Sequence, residues 1–253
     1  MTSEIIIYIT AIFASGLTLI SGFGLGTLML PVFAIFFPVE IAVGMTAIVH
    51  VLNNFFKMGL IFRDVNWKTL LYFGVPGIFG AFIGAMFLLH IETKAVWFEN
   101  AFVTIKPLNT IIGFLMIFFA VAELAKLKEF TFKRKYLIPG GFMSGFFGGL
   151  SGHQGALRSM FLIKSGLSKQ AYIATGVGIA LLVDITRIPV YWTKYDQSFV
   201  LDNGRIIGFA TLFAFLGAYI GKNLINKVTM KSVHLFVGAL LVAMGLGMII
   251  GLI

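Results

Sequence analysis

The chain has 253 residues, of which 59% are hydrophobic and 11% charged, with a mean hydropathy of +0.99. A soluble domain covers itself with roughly 25% charged residues, so a water-soluble globule is excluded and lipid is the expected solvent. The net charge of +9 sits in short Lys and Arg clusters between apolar runs, which argues for membrane orientation and against nucleic acid, and the absence of cysteine removes disulfides, thiolate metal sites and cysteine nucleophiles.

The apolar runs are continuous rather than alternating, so membrane helices are predicted and not a barrel. The start, Met1-Thr2-Ser3-Glu4, lacks the basic region of a cleaved signal, so the first run is expected to stay as a membrane helix. In chain order the segments are 4–21, 26–37, 39–62, 67–89 and 105–125, then 136–149, 155–164, 168–192, 203–225 and 231–252. A spanning helix needs about 20 residues. The second segment of each half is too short for that, and so is the first of the second half. A glycine-rich break separates these segments in both halves, Gly22-Phe23-Gly24-Leu25-Gly26 and Ser151-Gly152-His153-Gln154-Gly155.

The halves resemble each other. One sliding distance pairs Gly26 with Gly155, Ala42 with Ala171 and Thr46 with Thr175. A GxxxG pair follows in the fourth segment of each, Gly80/Gly84 and Gly217/Gly221, and such pairs let helix backbones approach closely. The predicted fold is all-α: a polytopic transmembrane bundle of two repeats, 1–126 and 136–253, joined by a basic linker at 127–135. Each repeat is a glycine-broken helical hairpin plus three spanning helices.

Charge sets the orientation. Lys57, Arg63 and Lys68 flank one loop, Lys126, Lys128, Lys133, Arg134 and Lys135 fill the linker, and Lys222, Lys227 and Lys231 flank a third, so all three are expected in the cytoplasm. The loops near 91–104 and 193–203, with Glu92, Glu99, Asp196 and Asp202, are expected outside, as are both termini. The two halves then face opposite ways, the inverted-topology arrangement of many secondary transporters.

Irregular backbone at membrane depth needs burial in protein or a wet cavity. Two breaks entering from opposite sides meet near the midplane. Each precedes a half-helix whose N-terminus carries free N–H groups and partial positive charge, which suits an anion. The other reading of these glycines is close packing alone. The candidate substrate contacts are Gly24, Gly26, Thr46, His50, Asn53, Asn54, Ser151, His153, Gln154, Gly155 and Arg158. His50, Asn53, Asn54 and Lys57 share a face at spacings of three and four. Asp184, Arg187 and Lys57 are candidates for coupling or gating, because intramembrane charges face a cavity or a partner. Asp184 reads equally as a structural ion pair with Arg187 or Arg158, and Lys57 and Arg187 equally as snorkelling cations.

Gly22-Phe23-Gly24-Leu25-Gly26, then Leu30-Pro31, Pro38 and Ala42-Val43-Gly44-Met45-Thr46, resemble the first-half signature of the TauE/SafE family of sulfite exporters. Arg63 through Trp67 ahead of a GxxxG helix is similar to the same pattern, and Gly148-Gly149-Leu150-Ser151-Gly152 with Ala171 to Thr175 repeats it. The resemblance implies a carrier in the prokaryotic plasma membrane, often working outward, for sulfur-containing anions such as sulfite, thiosulfate or an organosulfonate. The second break departs from the family's glycine-rich run with His153, Gln154 and Arg158, which adds donors suited to an oxyanion.

An anion channel, a membrane subunit of a larger complex and an intramembrane enzyme are the alternatives. The histidines at 50, 90, 153 and 234 are scattered, and no HExxH, GxSxG or phosphate-binding loop is present, so no catalytic residue, metal site or cofactor is assigned. The expected partners are a small anion and the bilayer, with proton or cation coupling and an oligomer both open.

Overall fold

The computed structural model describes residues 2–21, 24–91, 95–124, 134–162, 165–194, 197–224 and 230–253. Gly22, Phe23, Glu92, Lys126, Lys128, Lys133, Asp196 and Lys227 lie outside the described residues, and so do the side chains of Arg134, Lys231 and His234. The chain is a multi-pass α-helical membrane bundle. Its helices are α1 Thr2–Ser21, α2 Gly26–Phe36, α3 Val39–Ile61, α4 Trp67–His90 and α5 Pro107–Leu124, then α6 Leu137–Ser151, α7 Gly155–Leu162, α8 Lys169–Tyr191, α9 Gln197–Asp202, α10 Gly204–Leu224 and α11 Met230–Ile249.

By length and composition Val39–Asp64, Trp67–His90, Lys169–Tyr191 and Gly204–Asn223 can each cross a bilayer. At 11 and 8 residues, α2 and α7 rise only about 16 and 12 Å, roughly half the hydrocarbon thickness or less. Local chemistry sets the boundaries. The Asn66 side chain caps α4 by accepting from Thr69 N at 2.9 Å, and Ser168 caps α8 by accepting from Ala171 N at 3.2 Å. Pro38 turns the chain directly from α2 into α3. The expected breaks are present: α1 stops at Ser21 and α2 starts at Gly26, while α6 stops at Ser151 and α7 starts at Gly155. Gly152 ends α6 with φ of 80°, a left-handed position that favours glycine, and its N–H closes onto Gly148 O at 2.9 Å.

Two elements went unpredicted. A short antiparallel pair, β1 Phe98–Glu99 with β2 Thr104–Ile105, occupies the loop near 91–104, and α9 occupies the loop before α10. Both are too short to leave a periodic signal.

Packing follows the small residues. α4 packs on α6 and α8, α10 packs on α1 and α3, α3 meets α8, and α5 meets α11. Exchanging α1 with α6, α3 with α8, α4 with α10 and α5 with α11 maps these pairings onto one another. The glycines carry the closest approaches. A Cβ on Gly80 would lie 2.1 Å from Phe142 O, and one on Gly217 would lie 2.1 Å from Ile12 O. Gly113 and Gly245 face each other reciprocally, at 2.6 and 2.8 Å from the partner's carbonyl oxygen. Exposed Phe13, Phe79, Phe82, Phe114, Phe118 and Leu212 cover the outside, as a lipid-facing surface requires. The apolar core fills around α2, with Leu30, Phe33, Met45, Leu108 and Ile112, and the buried polar side chains His50, Asn54, Asp184 and Arg187 meet between α3 and α8.

Candidate functional site

The two breaks meet. A Cβ on Gly26 would lie 3.5 Å from Gly152 O and 3.4 Å from the Thr46 methyl, ordinary contact distances that leave room for a methyl and little more. Beside this crossing is a small cavity lined by Thr18, Gly24, His50, Asn54, Lys57, Arg158, Tyr172 and Gly176. It has room for about one water, roughly 20 Å³. A four-atom oxyanion needs more, so loading one requires the lining to part.

Each wall has a source in the sequence. On α3 the helical period puts His50, Asn53, Asn54 and Lys57 on one side, and all four are buried. Lys57 therefore does not flank a loop and does not snorkel. The residue is 3% exposed and its ammonium donates to Thr18 Oγ1 at 3.3 Å. With the Asn53 amide oriented to suit its neighbours, its nitrogen donates to Ser15 Oγ at 3.0 Å and Ala214 O at 3.2 Å, and its oxygen accepts from Lys57 Nζ at 3.2 Å. Asn53 thus ties α3 to α1 and α10. Among the described residues no carboxylate lies within ion-pair distance of Lys57. Arg158 comes from the first turn of α7, also buried, and Gly176 of α8 leaves room for it: a Cβ there would lie 3.3 Å from Arg158 Nε.

Asp184 is enclosed. Its Oδ1 accepts from Arg187 Nε at 2.9 Å, with Arg187 Nη2 at 2.8 Å, and its Oδ2 lies 2.7 Å from His50 Nδ1 and 3.1 Å from Asn54 Nδ2. Arg187 is fully buried, so the snorkelling reading fails for it as well. It also donates from Nη1 to Gly148 O at 3.2 Å, placing a cation over the C-terminus of α6, where the helix dipole favours one. Tyr191 donates from the same side to Gly149 O. These contacts fasten α8 to the second break.

Three residues of the second break turn elsewhere. His153 stacks on Phe119 of α5, with centroids 6.2 Å apart and planes 11° apart, and its Nδ1 lies 3.1 Å from Ser151 Oγ. Ser151 in turn donates to Phe147 O at 3.2 Å. The Gln154 carbonyl accepts from Ser144 Oγ at 3.0 Å, while its buried amide has no hydrogen-bond partner among the described residues. None of the three lines the cavity. Thr46 is buried beside Gly26, and Gly155 starts α7.

Sequence reasoning missed Thr18, Tyr172 and Gly176. Ser15 and Thr18, an i,i+3 polar pair in an otherwise apolar helix, were the available signal for α1. Tyr172 donates to Ser159 Oγ at 2.8 Å and joins α8 to α7. Thr175 accepts from Asn66 N at 2.9 Å, linking α8 to the start of α4.

The chain's residues 7–248 match the model of the family described as Sulfite exporter TauE/SafE. Comparison with curated proteins and with solved structures finds no match.

Proposed function

The chain belongs to the TauE/SafE family of sulfite exporters, and we propose that it is a secondary transporter that carries a small sulfur-containing anion outward across a prokaryotic plasma membrane. One observation carries this reading: Lys57 of the first half is buried against a small cavity that Arg158 of the second half also lines, and among the described residues no carboxylate lies within ion-pair distance of Lys57. Positive charge taken out of water is costly unless it meets an anion. The substrate is then held by Lys57, Arg158, His50 and Asn54, with the start of α2 at Gly26, just past Gly24 on the cavity wall, adding the partial charge of a helix N-terminus. Thr46, Gly26, Gly152 and Gly155 keep the crossing thin, and Ser151, His153 and Gln154 shape the second break.

The exchange of contacts between halves supports two inverted repeats, 1–126 and 136–253, rocking against each other around this site, with both termini outside. A cavity narrowed to a water-sized space suits a carrier better than an open channel. The test is flux of sulfite, thiosulfate and ethanesulfonate in proteoliposomes of the purified protein. A carrier saturates and counter-exchanges one of them, whereas flux linear in concentration without counter-exchange identifies a channel, and no flux of any of the three overturns the proposal.

A further inference from the structure

His50 stands between the buried ion pair and the cavity. On one side its Nδ1 lies 2.7 Å from Asp184 Oδ2. A carboxylate can only accept, so Nδ1 carries a hydrogen. That fixes the tautomer: in the neutral ring Nε2 carries the lone pair. Nε2 is the ring atom nearest the first break, 3.4 Å from where a Cβ on Gly24 would be, and both Gly24 and His50 line the cavity. Neutral His50 therefore turns an acceptor lone pair toward the place an anion would occupy. A proton on Nε2 converts that lone pair into an N–H donor and adds a full positive charge.

We infer that His50 couples the anion to a proton: one proton from water adds to Nε2 as the anion enters, and leaves again to water with the anion on the other side of the membrane. The Nδ1–H bond to Asp184 stays in place throughout, so no covalent bond other than N–H is made or broken. This assigns the coupling role to His50 rather than to Asp184. Arg187 holds Asp184 through two contacts and Asn54 adds a third, which keeps it as a fixed counter-charge. The charged and titratable groups around the ring are Asp184 and Arg187 from α8, Lys57 from α3 and Arg158 from α7, with Tyr172 of α8 on the cavity wall. From α1, among the described residues, the neutral Thr18 is the one that lines the cavity. Asn54 Nδ2 lies 3.4 Å from Nε2, so the amide has to release the ring as the proton arrives. Of the histidines whose side chains are described, His90 is exposed at the end of α4 and His153 is stacked on Phe119, so neither reaches the cavity.

The inference rests on the anion reading above, and the experiment separates the two. Counter-exchange of labelled sulfite at equal pH on both sides tests the anion reading alone, and its absence overturns both. Given exchange, sulfite binding to the wild type and to His50→Gln is measured between about pH 5 and 8. Glutamine keeps a donor for Asp184 and has no titration in this range. Sulfite's own protonation contributes equally to both proteins, so the difference between them reports the histidine. The expected wild-type dissociation constant rises with pH more steeply than that of the variant, by up to about tenfold per pH unit. Parallel pH profiles overturn the assignment. Should His50→Gln fail to fold, proton uptake on adding sulfite to weakly buffered wild type and His153→Gln decides instead. Uptake beyond the ion's own in both supports His50, whereas no excess uptake, or its loss in His153→Gln, overturns it.

Discussion

Lys57→Gln separates binding from folding, because the proposed site predicts opposite signs for the two. The glutamine keeps polar contacts for Thr18 and Asn53 and removes only the charge. A cavity this small leaves an anion about 4 Å from the position of the ammonium, and at an effective dielectric of about 20 that charge contributes about 4 kcal/mol. Its loss weakens sulfite about a thousandfold. The anion-free protein should behave in the other direction. Burying an ammonium without a carboxylate costs several kcal/mol, so the variant without anion should melt no lower than the wild type. Thermal unfolding in detergent, with and without a sulfite titration, reads both quantities from one sample. The wild type should gain stability with sulfite and the variant should not. Sulfite affinity within about threefold of wild type, or a melting temperature lowered in the absence of anion, would refute the reasoning and make Lys57 a structural link between α1 and α3.

Gly26→Ala places its methyl at ordinary contact distance from Thr46 and Gly152 O, so flux is expected to persist, whereas Gly26→Val overpacks the crossing by about 1–3 kcal/mol and should stop it. Equal flux in the two variants, measured in proteoliposomes, would remove the crossing from the mechanism. Asp184→Asn leaves Arg187 buried with its main counter-charge gone, a cost of about 3–5 kcal/mol visible as a lowered melting temperature. An unchanged melting temperature would show that the pair is dispensable. Gly80→Leu and Gly217→Leu each drive a side chain into a backbone carbonyl, of Phe142 and of Ile12. Both should abolish a monodisperse protein in gel filtration, and tolerance of either would contradict the close helix pairing at that position.

The sequence by itself determined the class of the protein and the places where its helices stop. Long apolar runs with few charges admit no aqueous fold, and the breaks at Gly22–Gly26 and Ser151–Gly155 interrupt the runs where α2 and α7 then begin. Helical spacing likewise grouped His50, Asn53, Asn54 and Lys57, because a period of 3.6 depends on nothing beyond the segment itself. That period says which residues share a face and not which helix the face meets. Lys57 looked like a loop-flanking charge because it lies close to Arg63 in sequence, yet Thr18 and Asn53 hold it inside. His153 sat in the break and looked like a substrate contact, yet Phe119 of another helix sets its ring. Asp184 and His50 meet across more than a hundred residues of chain, a contact no local pattern encodes. Only the tertiary structure decided these points, because they depend on which helices surround α3 and the second break, and the packing of α3 on α8 brings together side chains from opposite halves of the molecule.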